Sequence, residues 1–320
     1  MADQDAAGDR HLEEAAKKLN RGKGFLSKWM NGGNDGPEQA CEFYVKAGNC
    51  FKVAQKWEKA GNAFCSSAKL KSNGEHRHEA ATNYVDAALC YLKIDYEQAI
   101  ECYRRAVEIY VDMGRFSIAA KHLTTAAEIY ETKVIDVEKA LQMYSQAGEF
   151  YRGEESTSAA NKCFLKVAHI AAKLDQFEKA IELFSEIGAK CVDNSLLKYG
   201  AKDHFFKATL CALAIDHVRA QQCVEKYGDI HPAFKDSREY KLCLSLISDV
   251  QNENTDEFTL HVKDYDKVSR MDEWLTSLLL KIKRTLPAST NQASNVGGGF
   301  EESEVTAGPP PEDFDEDDLA

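Results

Sequence analysis

One motif recurs four times in this chain at nearly constant intervals: Trp57-Glu-Lys-Ala60, Tyr96-Glu-Gln-Ala99, Val137-Glu-Lys-Ala140 and Phe177-Glu-Lys-Ala180. Successive copies start 39, 41 and 40 residues apart. Between them lies a second series of alanines, Ala40, Ala80, Ala120, Ala160 and Ala201, and Ala220 continues the first. A small residue therefore returns about every 20 positions. Most are followed four residues later by a large apolar side chain, as in Ala40/Tyr44, Ala60/Phe64, Ala80/Tyr84, Ala99/Tyr103, Ala140/Tyr144 and Ala180/Phe184. Twenty residues hold a helix of ~14 residues, about 21 Å long, and a turn. Positions i and i+4 share a helix face, so alanine admits close backbone approach while the ring fills the space beside it. Pairs of such helices make αα-hairpins, and stacked hairpins make a solenoid in which repeats contact only their neighbours. The pattern predicts an all-α, tetratricopeptide-like solenoid with about 40 rather than 34 residues per pair.

Residue usage supports helices. Only Pro37 and Pro232 precede Pro287, and glycine is sparse, which favours long uninterrupted helices over a turn-rich β fold. No run of about 18 apolar residues exists, so no helix is expected to span a membrane. The polar start, Met1-Ala2-Asp3-Gln4-Asp5, lacks the apolar stretch of a signal peptide. Ten cysteines scattered through helical segments are read as buried cytosolic thiols rather than as a disulfide framework.

Boundaries follow from the same pattern. Residues 1–36 hold a lone amphipathic helix (Ala7–Arg21) and a Gly-rich loop; 37–227 the repeats; 228–286 a compact helical bundle. Residues 287–320 read as a disordered Ser/Asn/Gly/Pro-rich linker with an acidic tip.

Charge divides along these boundaries. The chain has 40 Lys+Arg and 52 Asp+Glu, a net of −12, but nine of the acids and no cation lie after Arg284. The body retains 43 acids against 40 cations, a net of −3. An acidic protein of this kind has no global electrostatic case for nucleic acid.

Catalytic and cofactor motifs are missing: no Gly-rich phosphate loop, no Gly-x-Ser-x-Gly elbow, no Cys-x-x-Cys pair. The nearest approach to a metal cluster, His76-Arg77-His78-Glu79, is not completed as His-Glu-x-x-His because Thr82 holds the fifth position. Neither enzyme, metal nor cofactor is expected.

Three elements suggest binding instead. The loop Gly24–Gly33 displays Phe25, Leu26, Trp29 and Met30, a set suited to shallow insertion into a membrane surface, where Trp is favoured. A ladder of cations, Lys121, Lys162, Lys202 and Arg238, follows the second alanine series about once per repeat, with Lys166 one turn beyond Lys162. Such a line fits an elongated acidic object, a coiled coil or helix bundle, steered by salt-sensitive attraction. The tip Asp313–Ala320 sets Leu319 behind four consecutive acids, Asp315, Glu316, Asp317 and Asp318, suiting a basic partner with a small apolar pocket.

Together these features resemble the soluble NSF attachment proteins of the alpha/beta type. The resemblance runs over residues ~10–284 and the last six, through Ala60-Gly-Asn-Ala-Phe-Cys65, Tyr110-Val-Asp-Met-Gly-Arg-Phe116, Ala127-Glu-Ile-Tyr-Glu-Thr132, Leu197-Lys-Tyr199 and Asp272-Glu-Trp-Leu-Thr276. It implies a twisted sheet of antiparallel helices followed by a helical bundle. It also implies a cytoplasmic, peripherally membrane-associated adaptor joining SNARE complexes to the ATPase N-ethylmaleimide-sensitive factor. By the same resemblance, Lys121, Lys162, Lys166, Lys202 and Arg238, with Lys93 and Arg115, grip the SNARE bundle. Phe25, Leu26, Trp29 and Met30 attach to membrane, and Asp315–Leu319 stimulate the ATPase. Asp216 matches a further ATPase-contacting acid. Ser248, Gln251 and Asn252 stand where the family has acids, with Asp249 and Glu253 nearby to substitute. The chain departs from the family by inserting Pro287–Glu312 before its tip. A generic repeat scaffold for acidic peptide tails is the alternative reading, and a scattered-site metalloenzyme a more remote one.

Overall fold

The computed structural model describes residues 2–21, 35–72 and 76–287. Among these, the chain is helical throughout, with no strand. Eleven helices form the body: α1 (Ala2–Arg21), α2 (Asp35–Val53), α3 (Trp57–Lys71), α4 (Arg77–Tyr91), α5 (Tyr96–Asp112), α6 (Phe116–Ile129), α7 (Val137–Gly153), α8 (Thr157–Lys173), α9 (Phe177–Val192), α10 (Ala201–Leu213) and α11 (His217–Ile230). A π turn, Tyr130–Val134, extends α6. The bundle comprises α12 (Pro232–Lys235), α13 (Arg238–Gln251), α14 (Thr255–Val268) and α15 (Glu273–Arg284). The result is an αα-hairpin solenoid with a C-terminal helical bundle.

The two alanine series prove to be two layers. Each helix of the solenoid packs on the next in sequence, and side-chain contacts link several alternate helices. Odd helices meet through Cys65 and Cys102 (α3–α5, Sγ–Sγ 3.5 Å), Arg152 and Glu186 (α7–α9, 3.6 Å) and Ser185 and Tyr227 (α9–α11, 2.5 Å). Even helices meet through Lys52 and Asp86 (α2–α4, 3.9 Å), Thr124 and Cys163 (α6–α8, 3.6 Å) and Lys207 and His169 (α10–α8, 2.9 Å). Ala60, Ala99, Ala140, Ala180 and Ala220 lie in the odd layer, and Ala40, Ala80, Ala120, Ala160 and Ala201 in the even one; all ten are buried between them. Rings complete the contact by seating on glycine of the preceding helix. A Cβ added at Gly188 would come within 2.7 Å of the Phe205 ring, so only glycine admits that close approach.

Tight turns join the helices without the glycines usually used for them. Gln55, Ile135, Glu155, Asp175 and Glu253 take left-handed φ between 53° and 60°, each two residues before the next helix, and only Gly114 (68°) fills the position with glycine. The scarcity of glycine therefore reflects strained turns as well as long helices. Side-chain caps from Asp95, Asp136, Asp216, Ser237, Asn254 and Asp272 satisfy free N–H groups at helix starts.

One expectation is corrected. The N-terminal helix begins at Ala2 rather than Ala7, and it is not alone. It packs on α2, buries Ala15, and its Asp5 and Asp9 both accept from the Lys59 ammonium on α3, at 2.9 and 3.1 Å. Acids in its first turn, Asp3 and Asp5, face the positive end of the helix dipole, which favours the early start.

Candidate partner-binding face

The even layer carries the cationic ladder. Helices α4, α6, α8 and α10 hold seven Lys/Arg against four Asp/Glu, whereas α5, α7, α9 and α11 hold eight against eleven. From α4 to α11 the two layers thus have opposite bias, whereas α2 (two cations, three acids) and α3 (three cations, one acid) run the other way.

Observed contacts connect the ladder from rung to rung. Lys121 lies one turn before Thr124, which meets Cys163 of α8, the neighbour of Lys162. Lys166 follows one turn later, and His169 beyond it reaches Lys207 on α10. At the N-terminus of α10, Lys202 pairs with Glu239 of α13 at 3.0 Å, directly beside Arg238. Lys121, Lys162, Lys166 and Arg238 are exposed, and Lys202 is half-buried. Lys121, Lys162, Lys166 and Lys202 thus lie on successive even helices, and Arg238, on α13, adjoins the Lys202 partner Glu239.

Their electrostatic situations differ. Lys121, Lys162 and Arg238 have no ion pair among the described residues and present full charges to solvent. The Lys166 ammonium instead donates to Glu131 at 2.9 Å, and Lys202 is held by Glu239, whose side chain is almost covered. Burial opposes ionisation of Glu131, but the Lys166 and Tyr144 donors outweigh it and hold the carboxyl below its usual range. Glu239 is lowered in the same way, its backbone N–H and Lys202 prevailing over burial.

Lys93 and Arg115 are placed differently. Residue pairs His78/Tyr110 and Tyr84/Arg105 show α4 and α5 antiparallel, and Ser117/Glu154 shows the same for α6 and α7. A three-residue turn, 113–115, reverses the chain between α5 and α6, so α4 and α6 run parallel, and Lys93, after the end of α4, lies at the opposite edge from Arg115, the N-cap of α6. The structure does not bring these two together.

At its far end the even face is covered by α15. Trp274 donates its indole N–H to the His169 carbonyl at 3.0 Å and meets the His169 ring edge-on at 5.0 Å, with the Lys207 ammonium 5.5 Å from the indole. His169 is neutral there: Nδ1–H donates to the Leu165 carbonyl at 2.7 Å, leaving Nε2 to accept from Lys207. Burial first, then the Lys207 charge, push its pKa down to about 4. Sequence reading missed Lys207; its signal is the spacing of 38 residues from His169, about one repeat.

The expected acids of the second half are dispersed. Asp216 is exposed and caps α11 by accepting from the Arg219 N–H at 2.7 Å. Asp249 is only 6 % exposed and bonds His261 Nδ1 at 2.7 Å, an internal role. Glu253 is exposed in the turn before α14, at left-handed φ. The apolar set Phe25, Leu26, Trp29 and Met30 and the tip Asp315, Glu316, Asp317, Asp318 and Leu319 lie outside the described residues. No described helix is long and apolar enough to cross a membrane, and no group of three or more His/Cys/Asp/Glu among the described residues is placed to hold a metal.

Comparison with known proteins gives the same direction. The family model "Soluble NSF attachment protein, SNAP" matches residues 6–287. The chain is 50 % identical over 275 residues to the beta-soluble NSF attachment protein of Bos taurus, covering 86 % of this chain and 92 % of that one. It is 50 % identical to the alpha-soluble NSF attachment protein of Mus musculus over 86 % and 93 % of the two chains. The vesicular-fusion protein SEC17 of Komagataella phaffii is 33 % identical, over 89 % and 97 %. Nearly the full length of these relatives is matched. The chain belongs to the soluble NSF attachment protein family.

Proposed function

We propose that this chain is a non-enzymatic adaptor that binds assembled SNARE bundles and recruits the ATPase N-ethylmaleimide-sensitive factor, stimulating it to disassemble them. Relatives named as NSF attachment and vesicular-fusion proteins support the pairing of partners. The observation that carries the reading is the series Lys121, Lys162, Lys166 and Lys202 on successive helices of the even layer, continued by Arg238 on α13, in an otherwise near-neutral body. A four-helix acidic bundle presents charge along its length, so a linear array of cations matches it where a single basic pocket would not. Lys93 and Arg115 flank that line from opposite edges. Several copies coat the bundle side by side. Their C-terminal ends, with Asp216, Glu253 and the tip Asp315–Leu319, face the ATPase, while Asp249 acts from within by holding His261. Phe25, Leu26, Trp29 and Met30 tether the complex at a membrane surface and raise its local concentration there.

The decisive experiment is pull-down and ATP-driven disassembly of a soluble SNARE bundle with Lys121→Glu/Lys162→Glu. Capture is expected to fall about ten-fold or more, with a shallower salt dependence. Unchanged capture and disassembly would overturn the ladder as the binding line. Replacing Phe25, Leu26, Trp29 and Met30 by Ser should slow disassembly of liposome-anchored bundles and spare soluble ones.

A further inference from the structure

A groove of about 660 Å³ runs between α14 and α15, on the side of the bundle away from α8. Its floor is apolar: Phe258, Val262, Met271, Leu279 and Leu280. Leu280 is 47 % exposed although it belongs to the last helix of the folded body. The rim is cationic, with Lys263, Lys267, Arg270 and Lys283. Lys267 is engaged by Asp264 at 2.8 Å, and Asp266, the acid on the rim, accepts from the Met271 N–H. Lys263, Arg270 and Lys283 have no ion pair among the described residues. This is an apolar trough ringed by unneutralised positive charge, in a protein whose net charge is −12.

We propose that the occupant is the chain's own C-terminal tip, Asp313–Ala320. Three observations select it. Its composition is the complement of the groove: Phe314 and Leu319 bracket four consecutive acids, as the apolar floor is bracketed by cations. Its size fits, because the six residues from Phe314 to Leu319 span about 17 Å when extended. The α14 wall from Phe258 to Val268 is about 15 Å long. Its attachment point is adjacent, for Lys283 on the rim lies four residues before Pro287, where the described body ends. A coil of 33 residues, the length from Pro287 to Ala320, has a mean span of ~30 Å, so the tip samples the groove at roughly millimolar effective concentration. The insertion Pro287–Glu312 then has a physical role: a tip tied directly to α15 would be too short to turn back along it.

Docking of the tip is independent of the proposed adaptor role. Its consequence, that the tip is withheld until a more strongly basic partner competes for it, rests on that role.

Carbodiimide cross-linking of the full chain, which joins carboxylates to lysine amines directly, tests the contact by mass spectrometry of the joined peptides. Lys263 on α14 is the reporter, and Lys281 is the control, nearer the tip in sequence but committed to Asp175 on the other side of α15. Tip-to-Lys263 products are expected to exceed tip-to-Lys281 products about ten-fold. Phe314→Ser/Leu319→Ser, which keeps every acid, and Leu280→Glu in the groove should each abolish that excess. Equal yields at the two lysines, or an excess unaffected by both variants, would overturn the proposal. Mixing isotopically light and heavy chains identifies the source of the tip; predominance of mixed products would overturn the intramolecular contact in favour of a second copy.

Discussion

Trp274 and His169 are 105 residues apart in sequence, yet the indole N–H of one bonds the backbone carbonyl of the other at 3.0 Å. That bond fastens α15 to α8, joining the bundle to the solenoid at the end of the cationic line. Phe184 closes the cluster, 5.8 Å from the indole and 5.2 Å from the imidazole.

Trp274→Phe keeps a ring in this cluster and deletes one hydrogen bond. It should cost about 1 kcal/mol. Trp274→Ala removes the ring as well and should cost about 3–5 kcal/mol. Urea unfolding of both variants checks the difference; equal losses would show that the indole N–H contributes nothing.

Acid should loosen the same joint. The folded pKa of His169, about 4, lies below the ordinary value of 6.5, so the folded state binds fewer protons than the unfolded one between them. The stabilisation is full above pH 6.5 and is lost progressively as pH falls toward 4. The slope is at most one proton, about 1.4 kcal/mol per pH unit. Thermal unfolding from pH 7 to 4 should therefore show a shallower decline in His169→Gln than in the parent chain.

Glu131 restrains one rung of the ladder. Glu131→Gln leaves an acceptor for the Tyr144 hydroxyl but releases the Lys166 ammonium. Affinity for an acidic helix bundle should rise about two- to five-fold at low salt, with a steeper salt dependence. Titration of a fluorescent bundle at two ionic strengths reads both effects. No change in either would place Lys166 outside the interface.

Ile135 is a β-branched residue at φ 60°, ψ 37°, and 76 % exposed. Its side chain disfavours that backbone and gains little from burial. Ile135→Gly should stabilise the chain by about 1 kcal/mol, read as a rise in Tm of a few degrees. A lower Tm would mean that the turn depends on the isoleucine.

The layers were legible because they are periodic. Each Glu-Lys-Ala-type motif begins at the first residue of an odd helix: Trp57, Tyr96, Val137 and Phe177. The alternate alanines mark the even helices; Lys121, Lys162 and Lys202 lie on three of them, whereas Arg238 lies on α13 of the bundle. Less legible were features fixed by one long-range contact. Whether Lys166 is free depends on Glu131, 35 residues away, and whether Asp249 faces solvent depends on His261. Opposite charges about one repeat apart, as in Lys166/Glu131 and Arg152/Glu186, are a usable signal for same-layer pairs. The N-terminal helix was misread as solitary because its partner contacts, Phe51 against Gly8 and Lys59 against Asp5 and Asp9, lie beyond its own periodicity.

Two-layer stacking has a mechanical side. Each ring-on-glycine seat, such as Phe205 on Gly188, joins only adjacent helices. Small rotations at successive seats therefore add along the rod while each disturbs few contacts. A body assembled in this way is stiff across its thickness and compliant along its length, like a leaf spring. Its pitch can change through many shallow distortions, with no single hinge.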